Sequence, residues 1–373
     1  MGWLESAVRL VLINAIGSVE TAQNIFTKFC TVLNPNGSRK HQLLCDSHIG
    51  SSVQDKVCIV TGGNAGVGLE TSKMLAARGA HIIVACRSVQ KGMTTVKMLE
   101  DIQALPSCKK SKADFLPLDL ADPATIHQFV QNFKAQKLPL DLLICNAGIM
   151  APPARCIAKN GLELQFQVNH LGHWLLAHEL LDLQLARQKK VEGQERASSG
   201  RPTRVLFLSS LTHWGGRQSF SDVSASKSYD PLLTYGDSKL GNLLTVKELQ
   251  RRFDRNEHTS QHVYTAVAVH PGLLHTELAC TWMENNFPAL LRPAATHALR
   301  NWGLHAWWTL PAATGADAVI WAATAPAEKI AGKYLGHGKP GWQAPKGDNE
   351  KLAQSLWDLN CHLTGVQTSS HLP

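Results

Sequence analysis

Tyr235 and Lys239 stand four residues apart in "LTYGDSKL", residues 233–240, a spacing that on a helix puts both side chains on one face. A tyrosine at its ordinary pKa of about 10 is a poor acid or base at neutral pH, and a nearby ammonium stabilises the phenolate and lowers that value. The pair therefore has the makings of a proton-transfer device. Spacing alone leaves open a plain solvated helix face, because the two residue types often fall four apart by chance.

A second set of residues has the chemistry of a phosphate cradle. "VTGGNAGVGLE", residues 60–70, follows an apolar strand-like run and opens a helix-like one. Its glycines at 62, 66 and 68 permit a tight turn and let backbone N–H groups approach a pyrophosphate at a helix N-terminus. Thr61, Gly62, Asn64, Gly66, Val67 and Gly68 are the expected lining. The spacing is T-G-x-x-x-G-x-G, distinct from the G-x-G-x-x-G of two-domain dehydrogenases. At the end of the next strand-like run, where an acid would bind the 2′-hydroxyl of NAD, the sequence has Cys86-Arg87-Ser88. A guanidinium there attracts a 2′-phosphate by charge and by paired hydrogen bonds, so NADP(H) is preferred over NAD(H). Asp119 and Leu120 close the third run, placed for the adenine, and Asn146, Ala147 and Gly148 close the fourth, beside the cofactor.

The elements that would hold these groups are legible in the hydrophobic pattern. "KVCIVTG", "HIIVACR", "ADFLPLDL", "LDLLICNAG", "RVLFLSS" and "VYTAVAVHPG" alternate with helical stretches. Each run is too uniformly apolar for a half-solvated strand, which predicts a doubly wound α/β fold: a parallel sheet covered by helices on both faces. Residues 188–202, "QKKVEGQERASSGRP", read as a polar loop before a buried strand. The expected division is a helical extension over 1–34, a linker over 35–52, one domain over 53–366 and a tail over 367–373.

A chain of 373 residues with 44% hydrophobic content can bury such a core without disulfides. Its nine scattered cysteines, several of them inside apolar runs, read as buried thiols in a reducing compartment. The formal charge of +8 is spread out, with no Lys/Arg run interleaved with aromatics, which argues against nucleic acid as a partner. Residues 3–29 carry one apolar helical face through Leu4, Val8, Val11, Leu12, Ala15, Val19, Ala22 and Phe26. The uncharged run Leu10–Val19 is too short to span a bilayer. The face suits either a peripheral membrane anchor or a helix packed on the domain. His170, His173 and His178 lack a metal-ligand pattern, so no metal is expected. Trp282, Trp302, Trp307 and Trp308 fit a substrate lid, a membrane-interface belt or core packing.

Combined in this chain order with "CNAG" and "AVHPGLLHTEL", the motifs resemble the short-chain dehydrogenase/reductase superfamily over residues 53–366. "VACRS", "FQVNHLGHWLL", "LSSLTHW" and "YGDSKLGNLL" are most similar to its retinol-dehydrogenase-like group. The resemblance implies a single Rossmann-like domain and an NADP(H)-dependent oxidoreductase. Its substrate would be a hydrophobic alcohol and the matching aldehyde or ketone, of retinoid, steroid or polyprenoid type. It also implies roles. Tyr235 would be the general acid or base, Lys239 would bind the nicotinamide ribose and depress the tyrosine's pKa, and Ser210 rather than Ser209 would hold the substrate oxygen. Asn169 would hold a water in the proton relay, and Pro271, Gly272 and Thr276 would flank the nicotinamide and pyrophosphate. Cys145 departs from the family's usual asparagine, and the segment 211–234 is longer than in compact members. The expected setting is intracellular and cytosol-facing, peripheral on endoplasmic reticulum or lipid droplet membrane, with a homodimer compatible. The competing reading is a non-catalytic dinucleotide-binding protein acting through partner or membrane contacts. Retention of Asn169, Ser210, Tyr235 and Lys239 together argues against it.

Overall fold

The computed structural model describes residues 16, 18, 20 and 21, then 52–103, 112–192, 202–217, 219–256, 264–275 and 310–367. The six apolar runs form β1 (Val57–Thr61), β2 (His81–Cys86), β3 (Ala113–Pro117), β4 (Leu142–Cys145), β5 (Thr203–Leu208) and β6 (Tyr264–His270). A separate short pair, β7 (Leu274–His275) and β8 (Leu310–Pro311), follows β6. β9 (Tyr334–Gly336) and β10 (Lys339–Pro340) extend the main sheet, whose order is β10-β9-β6-β5-β4-β1-β2-β3. All its pairings are parallel except β9 with β10. Strand order reverses between β1 and β4, and such a reversal opens a ligand crevice at the carboxyl ends of the strands.

The helices are α1 (Gly66–Ala77), α2 (Val89–Gln103), α3 (Pro123–Ala135), α4 (Gly172–Glu192), α5 (Pro231–Arg255), α6 (Ala312–Thr324), α7 (Ala327–Ile330) and α8 (Glu350–Thr364). They divide between the two faces of the sheet. Val57 and Ile59 of β1 enter the core shared with α3, α4, α5 and α8, whereas Cys58 and Val60 enter the core shared with α1, α2, α6 and α7. A strand's period of two sends alternate residues to opposite faces, and with both faces covered every residue must be apolar. Cys58, Cys86 and Cys145 are free thiols in these cores, and burial pushes each thiol up.

Two details depart from the sequence reading. α4 continues to Glu192, into the stretch expected to be loop, because its Gln, Lys and Glu residues are good helix formers whatever their polarity. β9, absent from the six runs read in the sequence, is three residues long and ends on Gly336, too short to carry a period. Of the expected helix over 3–29, the described residues Ile16, Ser18, Glu20 and Thr21 are helical, and Ile16 packs against Leu211 and Leu233. The rest of that segment, the linker before Ser52, most of the tail and the four tryptophans at 282–308 lie outside the described residues. Among the described residues no helix is long and apolar enough to cross a membrane.

Candidate active site

A cleft of about 970 Å³ opens at the crevice. Thr61, Gly62, Asn64, Gly66, Val67, Arg87, Asp119, Leu120, Asn146, Ala147, Gly148, Ser210, Tyr235, Lys239, Pro271 and Gly272 all line it, although they come from strand ends, the loops after them and two helices spread over more than 200 positions of sequence. Gly68 and Asn169 do not line it, and Thr276 lies outside the described residues.

The glycine turn is shaped by close approach. Gly62 has φ +64°, the left-handed region that glycine enters without steric cost. At Gly68 an added Cβ would sit 2.4 Å from both the Gly62 carbonyl oxygen and Asn146 Nδ2, so only glycine lets α1 pack onto the turn. Ala65, the residue before α1, supplies no side-chain cap, and the first turn carries no acid. A helix N-terminus left without a carboxylate or hydroxyl cap, opening on a cleft, fits an anion such as a pyrophosphate.

Thr61 ties this turn to the end of β4. Its Oγ1 accepts the N–H groups of Asn146 (2.9 Å) and Ala147 (3.0 Å), and it lies 2.8 Å from His173 Nε2. His173 Nδ1 is 3.0 Å from the Asn169 carbonyl, which can only accept, so the ring carries its proton on Nδ1 and Nε2 accepts from the threonine. Burial pushes the imidazole down to about 3, so it stays neutral. His170 is buried and neutral too, with Asn242 and Asn360 beside its two nitrogens. His170 and His173 are thus braces. Thr61→Val keeps the shape but strands the Ala147 N–H and takes the donor from His173 Nε2, each costing about 1–3 kcal/mol, while the Asn146 N–H keeps the Ile144 carbonyl at 3.0 Å. A clear fall in the midpoint of a thermal melt is the expected outcome, and an unchanged midpoint would contradict the assignment.

At the end of β2, Arg87 shares the cleft wall with Ser88 and with Lys91 from the first turn of α2. Lys91 was not singled out by sequence, since one lysine on a solvated helix carries no signal until its neighbours are known. Across the cleft floor, Asp119 is partly engaged: its Oδ1 accepts the Ala121 N–H at 3.0 Å.

α5 starts where the sequence dictates. Asp230 accepts the Leu233 N–H at 2.8 Å, and Pro231, which has no N–H to lose, takes the first helical position. Tyr235 and Lys239 follow on one face, both buried, with the Lys239 ammonium 5.4 Å from the centre of the Tyr235 ring. Lys239 Nζ donates to the Leu208 carbonyl at 3.1 Å. Ser210 hydrogen-bonds the Tyr235 phenol, while Ser209 turns away and donates to the Lys239 carbonyl at 2.9 Å. Burial pushes the tyrosine up and outweighs the lowering by the Ser210 hydrogen bond. Burial also pushes Lys239 down, to about 8.

Asn169 lies in a π-helical turn, Gln167–Leu171, an irregularity frequent at functional sites. Its Oδ1 accepts the Ile149 N–H at 2.8 Å and its Nδ2 donates to the Ile149 carbonyl at 2.9 Å. The side chain thus clips down the segment after β4.

A sequence model described as short chain dehydrogenase matches residues 56–228. Retinol dehydrogenase 12 of Mus musculus is 34% identical over 325 residues, covering 87% of this chain and 90% of that protein. Polyprenol dehydrogenase of Homo sapiens is 35% identical over 315 residues, with 84% and 86% covered. The chain belongs to the short-chain dehydrogenase family. It is an oxidoreductase of that family's retinol-dehydrogenase-like group. A crystal structure of an uncharacterized protein from Mycobacterium paratuberculosis, 27% identical, superposes with a TM-score of 0.62, covering 86% of this chain and 96% of its own.

Some residues of this short-chain dehydrogenase cleft had no sequence signal. Ser18 and Thr21 of the N-terminal helical segment line it, and Glu20 between them is buried against His270 and His337. No periodicity links positions 250 residues apart. The sequence offered only a lone acid after an apolar run.

Proposed function

We propose that the protein is an NADP(H)-dependent oxidoreductase interconverting a hydrophobic alcohol and its aldehyde or ketone. The carrying observation is that the hydrogen-bonded Ser210–Tyr235 pair, with Lys239 beside it, faces the same cleft as the glycine turn and Arg87. β2 with Arg87 and β5 with Ser210 lie on opposite sides of the strand reversal, so a dinucleotide laid across it would bring its two ends to the two groups. Gly66 and Val67 N–H groups would hold the pyrophosphate, Arg87 and Lys91 a 2′-phosphate, Asp119 and Leu120 the adenine, and Pro271 and Gly272 the nicotinamide side. The bound cofactor supplies or takes up a hydride.

The chain's own groups handle the oxygen and its proton. Ser210 orients the carbonyl oxygen, and Tyr235, kept protonated by burial, donates the phenolic proton as that oxygen becomes a hydroxyl. In the reverse direction the phenolate takes the proton back, and the Lys239 cation stabilises it. Asn169 acts from behind, holding the Ile149 backbone next to Gly148, which borders the Lys239 ammonium. Ile149, Met150, Leu211, Leu232, Leu273 and Leu274 border the same cleft and favour an apolar substrate. The retinol and polyprenol dehydrogenase relatives support this substrate class.

Consumption of NADPH in the presence of retinal, a steroid ketone and a polyprenal, beside a sugar aldehyde, tests the reading. Turnover of at least one apolar carbonyl and not of the sugar is expected. Turnover of the sugar alone would overturn the substrate class.

A pH profile adds a check. Lys239 is a cation below about 8 and loses its charge above it, so kcat/KM for reduction is expected to fall as pH rises through that value. Stability should move the other way. The unfolded lysine keeps its proton up to about 10.4, so between the two values the unfolded state binds more protons and stability rises with pH. A rate that is flat through this window would contradict the role given to the ammonium.

A further inference from the structure

We propose that Glu20 is a positioning residue for the cleft, fastening the N-terminal helical segment to the His270-Pro271-Gly272 turn so that Ser18 and Thr21 form a substrate-selecting wall. The proposal rests on the reading of this cleft as the site for nucleotide and apolar carbonyl.

Glu20 is 7% exposed, an unusual burial for a carboxylate, and its partners account for it. His270 Nε2 lies 3.0 and 3.1 Å from its two oxygens, the Leu273 N–H donates at 2.9 Å, and His337 Nε2 lies at 3.2 Å. These partners come from three places: the last residue of β6, the loop after it, and the turn joining β9 to β10. His270 pairs with Gly336 across the sheet, which sets His337 over the end of β6. The carboxylate is therefore a three-way pin between the sheet edge, the turn and the helical segment. Attraction to both histidines holds Glu20 well below the usual carboxylate range although burial opposes it, so it stays ionised at neutral pH. One turn before it, Ile16 is held in an apolar patch with Leu211, Leu233 and Leu273. Ser18, between the patch and the pin, and Thr21, next after the pin, line the cleft that also holds Tyr235.

Two histidines and a carboxylate are also a donor set for a divalent cation. The ring of His270 argues against that use. Its Nδ1 is buried with no hydrogen-bond partner among the described residues. A cation on Nε2 would leave the imidazole proton on Nδ1 with no acceptor, whereas metal-bound histidines ordinarily donate that second N–H.

The test uses the full-length protein with Glu20→Gln and, separately, Thr21→Phe. Hydrogen exchange of residues 264–275 and the rate of NADPH release are read first, since neither depends on turnover. Glu20→Gln is expected to speed both by about tenfold, the usual size for loss of a buried charge-assisted hydrogen-bond set. A thermal melt that keeps its cooperative main transition separates this from global unfolding. Thr21→Phe narrows the wall and is expected to shift the kcat/KM ratio between a long polyprenal and a short apolar aldehyde. Unchanged exchange and unchanged NADPH release in Glu20→Gln would overturn the proposal. A Thr21→Phe enzyme with the wild-type ratio would overturn the wall. If the wild type binds NADPH but turns over no carbonyl, the functional reading fails while the exchange and release data still judge Glu20.

Discussion

Tyr235→Phe is expected to lower kcat for carbonyl reduction by about 10²- to 10⁴-fold, the range a positioned general acid contributes. The substitution removes one oxygen and leaves the ring that packs beside Lys239. NADPH affinity should stay near the wild-type value, because the groups assigned to the nucleotide are backbone N–H groups of the glycine turn and cations at the end of β2. Burial keeps the phenol protonated, so at neutral pH the proton is present on the enzyme before the carbonyl arrives. Its loss leaves the developing alkoxide with Ser210 alone. The check is steady-state turnover beside NADPH binding followed by fluorescence. A variant with more than a tenth of wild-type kcat would mean that water or Ser210 delivers the proton.

Arg87→Asp carries the second large effect, a loss of about a hundredfold in NADPH affinity with NADH gaining relative to it. The guanidinium stands on the cleft wall beside Ser88 and Lys91, two further donors for a 2′-phosphate. Replacing it with a carboxylate substitutes repulsion for a paired hydrogen bond and offers an acceptor to the 2′-hydroxyl of NADH. Affinities for the two cofactors, measured on wild type and variant, give the ratio directly. A ratio unmoved by the substitution would take the phosphate away from β2.

The parts of this fold that were legible are those in which local sequence and burial agree. β1 to β6 announce themselves because strands covered on both faces are near-continuously apolar, and the glycine turn because Gly62 takes a positive φ and Gly68 sits where a Cβ is excluded. Tyr235 and Lys239 were legible as a pair since helical geometry fixes what four residues' separation means. Their electrostatics were not. Spacing sets the lysine beside the phenol, but the depth of burial, which pushes the phenol up, is a property of the packed α5. Asn169 was legible only as a motif position, and the hydrogen bonds by which its amide grips the Ile149 backbone emerge only with the π-helical turn. The Glu20 cluster lay beyond reach for a different reason. It joins residues some 250 and 317 positions apart, and no local pattern encodes a contact of that range.

The central claim is hydride transfer between a nicotinamide and an apolar carbonyl in this cleft. The most direct measurement is transfer of label from NADPH deuterated at C4 to retinal, with the retinol product examined by mass spectrometry. One deuterium on the new carbinol carbon, absent with Tyr235→Phe over the same time, is the predicted result. NADPH bound at the cleft with no deuterium in any alcohol product, across retinal, a steroid ketone and a polyprenal, would contradict it.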